Sequence, residues 1–431
     1  MPLFLGRKSV KFIFFFYPSI PCTMEEREKL RPIAARVDRF QAMLDEIVEL
    51  SQMAEDLGFT AVTFPEHHLH TEGGEMGSLP VLTQHVLANT KKILAGPIGY
   101  VLPGWNPLRL ALETAWMDQI SKGRTIAGFA RGYQSRWLNP MAQQLHGVGA
   151  IHSTQKADND QINREAFQEV YEILKLAWGD KPFRYKGKYY QYPHPYETGT
   201  PWPAVDWTRR YGSPGEIDDD GNLQMIDVVP KPYQKPHPKL FQAFSQSEST
   251  IRWAAREGII PTLLVSDLEQ LKQFANVMVE EAAAHGRTLN LGDDLGVFRG
   301  VYLADNKEQA RDLAMRGLMG TGWPGWAHDF GFTDAFRLPE DDEKYPNQML
   351  PVSEVHMERF ERTHFTLVGD ENDVRKEMDL LVEAANPEWF IWQSDQGYLP
   401  LDEMKRMLER FGKNILPHYI DARDQQNASA G

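Results

Sequence analysis

Short apolar segments alternate with helical segments over most of the 431-residue chain, and this alternation restricts the fold more than any other feature. Strands that alternate with helices in this way predict a parallel sheet. No G-x-G-x-x-G motif follows the first strand, so a doubly wound nucleotide-binding sheet is the weaker alternative. The sequence therefore predicts a single α/β domain over residues 1–431, a (β/α)8 TIM barrel, with strands at 10–17, 60–64, 92–102, 124–130, 239–244, 259–265, 295–303 and 389–392.

Two long segments interrupt the alternation. The first covers about residues 180–238 after the fourth strand, and the second covers about 320–350 after the seventh strand. Long stretches with little regular structure inside a compact domain are usually functional, and both of these are rich in aromatic residues. The tail from about residue 422 is small and polar, and we expect it to be disordered.

Charge and cysteine content exclude several classes of function. The formal net charge is −14, whereas nucleic-acid binding needs clustered Lys and Arg, so we expect no nucleic-acid partner. The one cysteine, Cys22, leaves no internal disulfide and no cysteine-based zinc site. No apolar run approaches the roughly 20 residues of a membrane helix, so we expect a cytoplasmic protein without a membrane partner.

A cluster of ionisable residues follows the second predicted strand directly. The strand ends at Phe64-Pro65, and Glu66, His67 and His68 come next. The active sites of (β/α)8 barrels lie at the carboxyl ends of the strands. A single histidine there is more often a structural hydrogen bonder. Three adjacent ionisable residues are harder to explain in that way, because several desolvated groups need one another as partners. A metal site, a general acid/base and a structural network all remain open.

The metal interpretation rests on His68 and His70, whose side chains lie on the same side of an extended chain. A barrel hydrolase needs further ligands from later strands, and the ends of the fifth and sixth strands offer no histidine or carboxylate. Asp395, after the eighth strand, is the only plausible addition. We therefore expect no metal at this site.

A hydroxyl-rich segment and two arginines suggest an anion site. Residues 245–250 (SQSEST) lie between the fifth strand and its helix, where hydroxyls and free backbone N–H groups favour phosphate. Taken alone, simple capping of the helix is the better interpretation. Arg131 follows the fourth strand, and Arg164 lies near the start of the next helix. Together they indicate a phosphorylated ligand, whose flat part can approach the glycines of Gly96–Gly99.

Six ordered segments resemble the bacterial luciferase-like flavin monooxygenases over about residues 11–417. The first half contributes GFTAVTFPEHH, TKKILAGPIGYVLPGWNP and MDQISKGRTIAGFARG, and the second half contributes FRYKGKYYQ, VPKPYQKPHPKLF and SQSESTIRWAAREG. The resemblance is highly specific for the superfamily and much less specific for the substrate. It implies a barrel that binds reduced FMN from a separate reductase, and a flavin peroxide that attacks an organic substrate.

Carried over residue by residue, the resemblance implies roles for particular side chains. His67 matches the catalytic histidine, with Glu66 and His68 beside it. Ile98-Gly99 matches the dipeptide that packs on the flavin ring, often through a non-proline cis peptide bond. The positions that hold the FMN phosphate are matched by Arg131, Arg164, Gln246, Ser247 and Thr250, with Gln246 in place of a glutamate.

Trp137 stands where luciferase has an aspartate, so light emission is not implied. The aromatic insertions resemble mobile loops that cover the substrate, with Trp202, Trp207, Trp323 and Trp326 as suitable cover for a dry site.

The predicted function is therefore that of a two-component FMN-dependent monooxygenase acting on a medium-to-large apolar or aromatic small molecule. One alternative is a deazaflavin-dependent enzyme that transfers hydride. The other is a non-catalytic flavin-binding paralogue. Relatives of this kind are commonly dimers or tetramers, so we expect a homodimer or homotetramer.

Overall fold

A computed structural model describes residues 9–74, 77–143 and 156–420, with only the backbone described for 156–160. The described chain divides into two compact units. The larger unit contains the described residues up to Gly99 and from Leu240 onward, and the smaller unit contains those of Tyr100–Lys239. The single domain remains a prediction, and the predicted disordered tail from about residue 422 lies outside the described residues.

The strands are, in chain order, β1 (Lys11–Phe15), β2 (Ala61–Phe64), β3 (Leu94–Pro97), β4 (Tyr100–Val101), β5 (Ile126–Ala130), β6 (Tyr185–Lys186), β7 (Gln191–Tyr192), β8 (Thr200–Pro201), β9 (Asn222–Leu223), β10 (Lys239–Ser245), β11 (Ile260–Leu263), β12 (Gly296–Leu303), β13 (Thr366–Gly369) and β14 (Trp389–Gln393).

The α-helices are α1 (Met24–Lys29), α2 (Val37–Asp56), α3 (Leu79–Asn89), α4 (Pro107–Ser121), α5 (Ser135–Met141), α6 (Lys156–Trp178), α7 (Val205–Tyr211), α8 (Glu248–Glu257), α9 (Leu268–Ala284), α10 (Lys307–Arg316), α11 (Leu318–Gly322), α12 (Pro339–Lys344), α13 (Met357–Arg362), α14 (Glu371–Ala385) and α15 (Leu401–Asn414). A π-helical turn covers Trp323–Ala327. Short 3-10 turns cover Ile33–Ala35, Leu102–Gly104, Phe332–Phe336, Val352–Glu354 and Leu416–His418.

The larger unit is built on a parallel sheet in the order β3-β2-β1-β14-β12-β11-β10. Its strands are apolar and almost entirely buried, as expected when helices cover a parallel sheet. β1 lies between β2 and β14, with Phe14 opposite both Val62 and Trp392. Because the strands are parallel, their carboxyl ends lie on the same edge of the sheet, and this edge carries the candidate site.

Aromatic rings fill the inside of this sheet and show that it is curved. The Phe15 ring of β1 lies 5.8 Å from the Phe244 ring of β10, and both lie 5.2 Å from the Phe298 ring of β12. Strands β1 and β10 are at separate positions in the sheet order, so such contacts need a strongly curved, barrel-like sheet. The prediction of an α/β fold with a barrel-like parallel sheet is confirmed.

The smaller unit contains the parallel pair β4–β5, with Tyr100 opposite Phe129. Asn106 caps α4 by accepting the Arg109 N–H at 3.1 Å, and Pro107 occupies the first turn. Strands β6 and β7 pair antiparallel around residues 187–190 and form a hairpin.

Three expectations about secondary structure need correction. The third strand was predicted as one element, but it is interrupted at Ile98–Gly99 and forms β3 and β4. Strand β13 was not predicted, and it pairs with the second half of β12. The predicted insertions contain regular structure: residues 180–238 include β6–β9 and α7, and residues 320–350 include α12 and several short helical turns.

Candidate active site

The chain leaves β2 at Phe64 and immediately buries two ionisable side chains. Glu66 and His67 are only 3% and 4% exposed, and His68 is partly exposed. Nε2 of His68 lies 2.9 Å from Oε1 of Glu66, so the imidazole has a buried carboxylate as its partner. This contact fixes the orientation of the His68 ring. His67 is the second imidazole directly after the strand.

His67 lies against aromatic rings. Its ring centroid is 5.6 Å from that of Trp326 and 6.0 Å from that of His70, and Trp326 is 6.1 Å from His70. Leu69, at φ 63°, turns the chain between the two histidines, and His70 is buried at 7% exposure. An indole therefore lies against the His67 imidazole at the end of β2.

The other tryptophans of the insertions lie in different surroundings. Trp323 is buried and packs on Phe336 and Phe365, so it belongs to the core of its own segment. In the smaller unit, Trp202 and Trp207 are 41% and 70% exposed. Of the four tryptophans predicted as cover, Trp326 is the one that contacts His67.

Ile98 and Gly99 follow β3, which pairs with β2. Phe64 is opposite Pro97, and the Ile98 N–H donates to the Phe64 carbonyl at 2.9 Å. The dipeptide therefore starts beside the Glu66–His68 cluster at the same edge of the sheet. The peptide bond between Ile98 and Gly99 is cis, as the family resemblance implies.

Three hydroxyl groups meet at the start of α8. The Ser247 Oγ lies 3.0 Å from Thr250 Oγ1 and 3.2 Å from Ser249 Oγ. Ser247 occupies the N-cap position, yet its side chain makes no capping hydrogen bond, so the simple capping interpretation is wrong for this residue. The first N–H groups of a helix need an acceptor from outside, and the helix dipole favours an anion there. Gln246 is partly buried beside this turn.

The remaining predicted phosphate ligands lie in the smaller unit. Arg131 directly follows β5 and is partly buried, while Arg164 is an exposed residue of α6. Gly132 follows Arg131 with φ 86°, and a Cβ on it would lie 2.5 Å from a Val101 methyl carbon, so this turn needs glycine. Trp137 is fully buried, and its indole N–H donates to Gln134 at 2.8 Å.

Asp395 was considered only as a metal ligand, and its contacts give it another role. Its Oδ1 accepts the Tyr302 hydroxyl at 2.9 Å and the Leu318 N–H at 2.5 Å. Burial raises the pKa of this carboxyl to about 7. A Cβ at Gly317 would lie 2.1 Å from the same Oδ1, so the chain approaches it through glycine. Leu318 begins α11, which leads into the turn that carries Trp326, so Asp395 anchors the segment over His67.

Among the residues that the structure describes, no group of three or more His, Cys, Asp or Glu side chains is placed to hold a metal ion. None of the described helices combines the length and apolar character that a bilayer span requires.

The profile of the family described as "Luciferase-like monooxygenase" matches residues 25–386. The chain is also 32% identical over 397 residues to the oxygenase component of flavin-dependent trigonelline monooxygenase from Acinetobacter baylyi. That match covers 90% of this chain and 93% of the relative. The chain belongs to the luciferase-like monooxygenase family.

Solved structures share the fold at lower identity. The oxygenating constituent of 3,6-diketocamphane monooxygenase from Pseudomonas putida, a type II Baeyer-Villiger monooxygenase in complex with FMN, matches with a TM-score of 0.68 and 21% identity over 95% of this chain and 98% of the other. The coenzyme F420 dependent tetrahydromethanopterin reductase from Methanopyrus kandleri matches with a TM-score of 0.61 and 15% identity over 95% of this chain and 99% of the other.

Proposed function

We propose that this protein is the oxygenase component of a two-component monooxygenase, which receives reduced FMN from a separate reductase and oxygenates a medium-to-large apolar or aromatic small molecule with O2. The observation that carries the proposal is the Glu66–His67–His68 cluster at a strand end, in which Glu66 and His67 are buried and Trp326 lies against His67. Family membership supplies the reaction class, and the trigonelline and diketocamphane relatives support the choice of flavin.

The described residues fit FMN at two places. The hydroxyl cluster of Ser247 and Thr250 at the start of α8 suits a phosphate, because it is not used for capping. The start of the Ile98–Gly99 dipeptide beside β2 suits the ring system. Arg131 and Arg164 are assigned to the phosphate by resemblance alone. When bound, reduced FMN supplies two electrons, so that one oxygen atom enters the substrate and the other leaves as water.

The protein's own residues exclude water and manage protons in this scheme. His67 holds or transfers a proton at its imidazole nitrogen. Glu66 orients His68 through their 2.9 Å contact. Trp326 covers His67 and keeps the site dry. Assembly as a homodimer or homotetramer and a cytoplasmic location remain predictions.

A hydride-transferring enzyme that uses a deazaflavin is the second candidate, because a reductase that depends on coenzyme F420 shares this fold. The non-catalytic paralogue is disfavoured. Burying a carboxylate lowers the stability of the fold, and such a cost favours a functional role for the Glu66–His68 pair.

The phosphate assignment is tested by comparing reduced FMN with reduced riboflavin, which lacks the phosphate. We expect Arg131→Ala to weaken FMN binding about tenfold or more while riboflavin binding is unchanged, since hydrogen bonds to charged groups are worth about 1.5–3 kcal/mol. Anaerobic fluorescence titration measures both constants.

Arg109→Ala is the matched control, because that side chain is 75% exposed. Equal FMN affinity in the Arg131 and Arg109 variants would contradict the assignment.

A further inference from the structure

A small cavity is lined by Trp326 and His70, the two rings that lie next to His67. Its volume is about 150 Å³. Its walls come from α1, the loop after β2, the α11 segment and the turn after β14, and they include Arg27, His70, Trp326 and Tyr398. All of these belong to the larger unit. A cavity of this volume is large enough to hold a six-membered aromatic ring.

Arg27 gives the cavity a positive charge. Its guanidinium donates to two backbone carbonyls, those of Glu72 at 2.6 Å and Ile20 at 3.3 Å. Among the described residues, no carboxylate forms an ion pair with it. A guanidinium has five N–H donors, so donors remain for a ligand. Glu72 also lines the cavity, but its side chain is exposed and its charge is screened by solvent.

The other walls favour a flat ring. The Arg27 guanidinium lies 5.6 Å from the centroid of the Tyr398 ring, and the Trp326 indole forms the wall shared with His67. Gly74 packs closely against both groups, since a Cβ there would lie 3.3 Å from the Tyr398 hydroxyl and 3.9 Å from Arg27 Nη1. Aromatic surface next to a guanidinium that makes no ion pair with a described carboxylate is a combination that suits an aromatic carboxylate.

From these contacts we infer that the cavity is a substrate subsite for the carboxylate end of an aromatic acid. The carboxylate binds Arg27, and the attached ring lies along Tyr398 and Trp326, one indole away from His67. This assignment names the substrate class and rests on the proposed function for its catalytic meaning. The binding of an aromatic carboxylate to Arg27 can be measured without any turnover.

The test uses benzoate as the probe on the full-length protein, with benzamide as its neutral isostere, in ligand-observed NMR titrations with and without FMN. We expect benzoate to bind at least about tenfold more tightly than benzamide, because a bidentate arginine contact needs the charge. Arg27→Gln is expected to remove this difference, and Gly74→Val to weaken both ligands by filling the space.

Two variants control for indirect effects. Arg109→Gln removes an exposed arginine of the smaller unit, and Gly325→Val adds a side chain where a Cβ meets nothing within 4 Å. Both should bind benzoate like the wild type, and thermal unfolding checks that every variant is folded. Equal binding of benzoate and benzamide, or unchanged binding in a folded Arg27→Gln variant, would overturn the subsite.

The outcome separates the subsite from the proposed function. Arg27-dependent benzoate binding in a protein that never oxygenates with reduced FMN would leave the subsite standing and the proposed function wrong. If the protein oxygenates a substrate but binds benzoate independently of Arg27, the proposed function stands and the subsite is wrong.

Discussion

His67→Ala is expected to lower the rate of product formation about 10²- to 10⁴-fold, the usual contribution of a positioned general acid or base. His67 is 4% exposed, and its ring is 5.6 Å from the Trp326 ring. Water therefore cannot easily take over proton transfer when the imidazole is removed. The affinity for reduced FMN should change little. The measurement is oxygenated product per unit time with a panel of aromatic and alicyclic compounds, together with a flavin titration.

His85→Ala is the matched control, because it removes an exposed histidine from α3 and should keep full activity. His67→Ala also creates a cavity, which could lower activity by itself. His67→Gln controls for this effect, because glutamine fills much of the space but cannot carry the proton. If His67→Gln restored activity, or if His67→Ala stayed within threefold of the wild type, the imidazole would have no role in proton transfer.

Asp395 is expected to make the protein less stable as pH rises from about 4 to about 7. Its pKa is about 7 in the folded state because the carboxyl is fully buried, against 3.8 for an ordinary aspartate. Between these values the unfolded chain has released the proton and the folded chain has retained it. The linkage relation then gives a stability that falls with pH, by about 4 kcal/mol at most, and levels off above pH 7.

Asp395→Asn should remove this part of the pH dependence. Asparagine resembles the protonated acid in being neutral, and its Oδ1 can still accept from Tyr302 and Leu318. Urea unfolding between pH 4 and 8 measures the difference, with Asp329→Asn, at a side chain 78% exposed, as the control. A wild type and an Asp395→Asn variant with parallel pH profiles would contradict the buried, protonated state.

Much of the frame could be predicted because its signals are local. The apolar strands β1, β2 and β12 and the capped helix α4 follow from adjacent residues, and so does the position of Glu66 and His67 at a strand end. Strand β13 was missed although residues 365–368 form a short apolar run like that of β2, and its pairing with β12 identifies it as a strand.

The contacts of the candidate site depend on tertiary structure and were harder to predict from the sequence. The sequence suggested Trp326 as one of four covering residues, but its contact with His67 depends on how α11 is held by Asp395. Asp395 itself gave a signal, a carboxylate directly after the apolar strand β14, which was interpreted only as a potential metal ligand. Arg27 gave none, because a single arginine in a charged helix looks solvated.

The central claim is that O2 supplies an oxygen atom to an organic substrate with reduced FMN as the electron donor. The most direct measurement is mass spectrometry of the product after the protein, reduced FMN and substrate are mixed with 18O2. The proposed function predicts one 18O atom in each product molecule, with one O2 consumed per product. A product that contains no 18O, or turnover with reduced coenzyme F420 that consumes no oxygen, would contradict it.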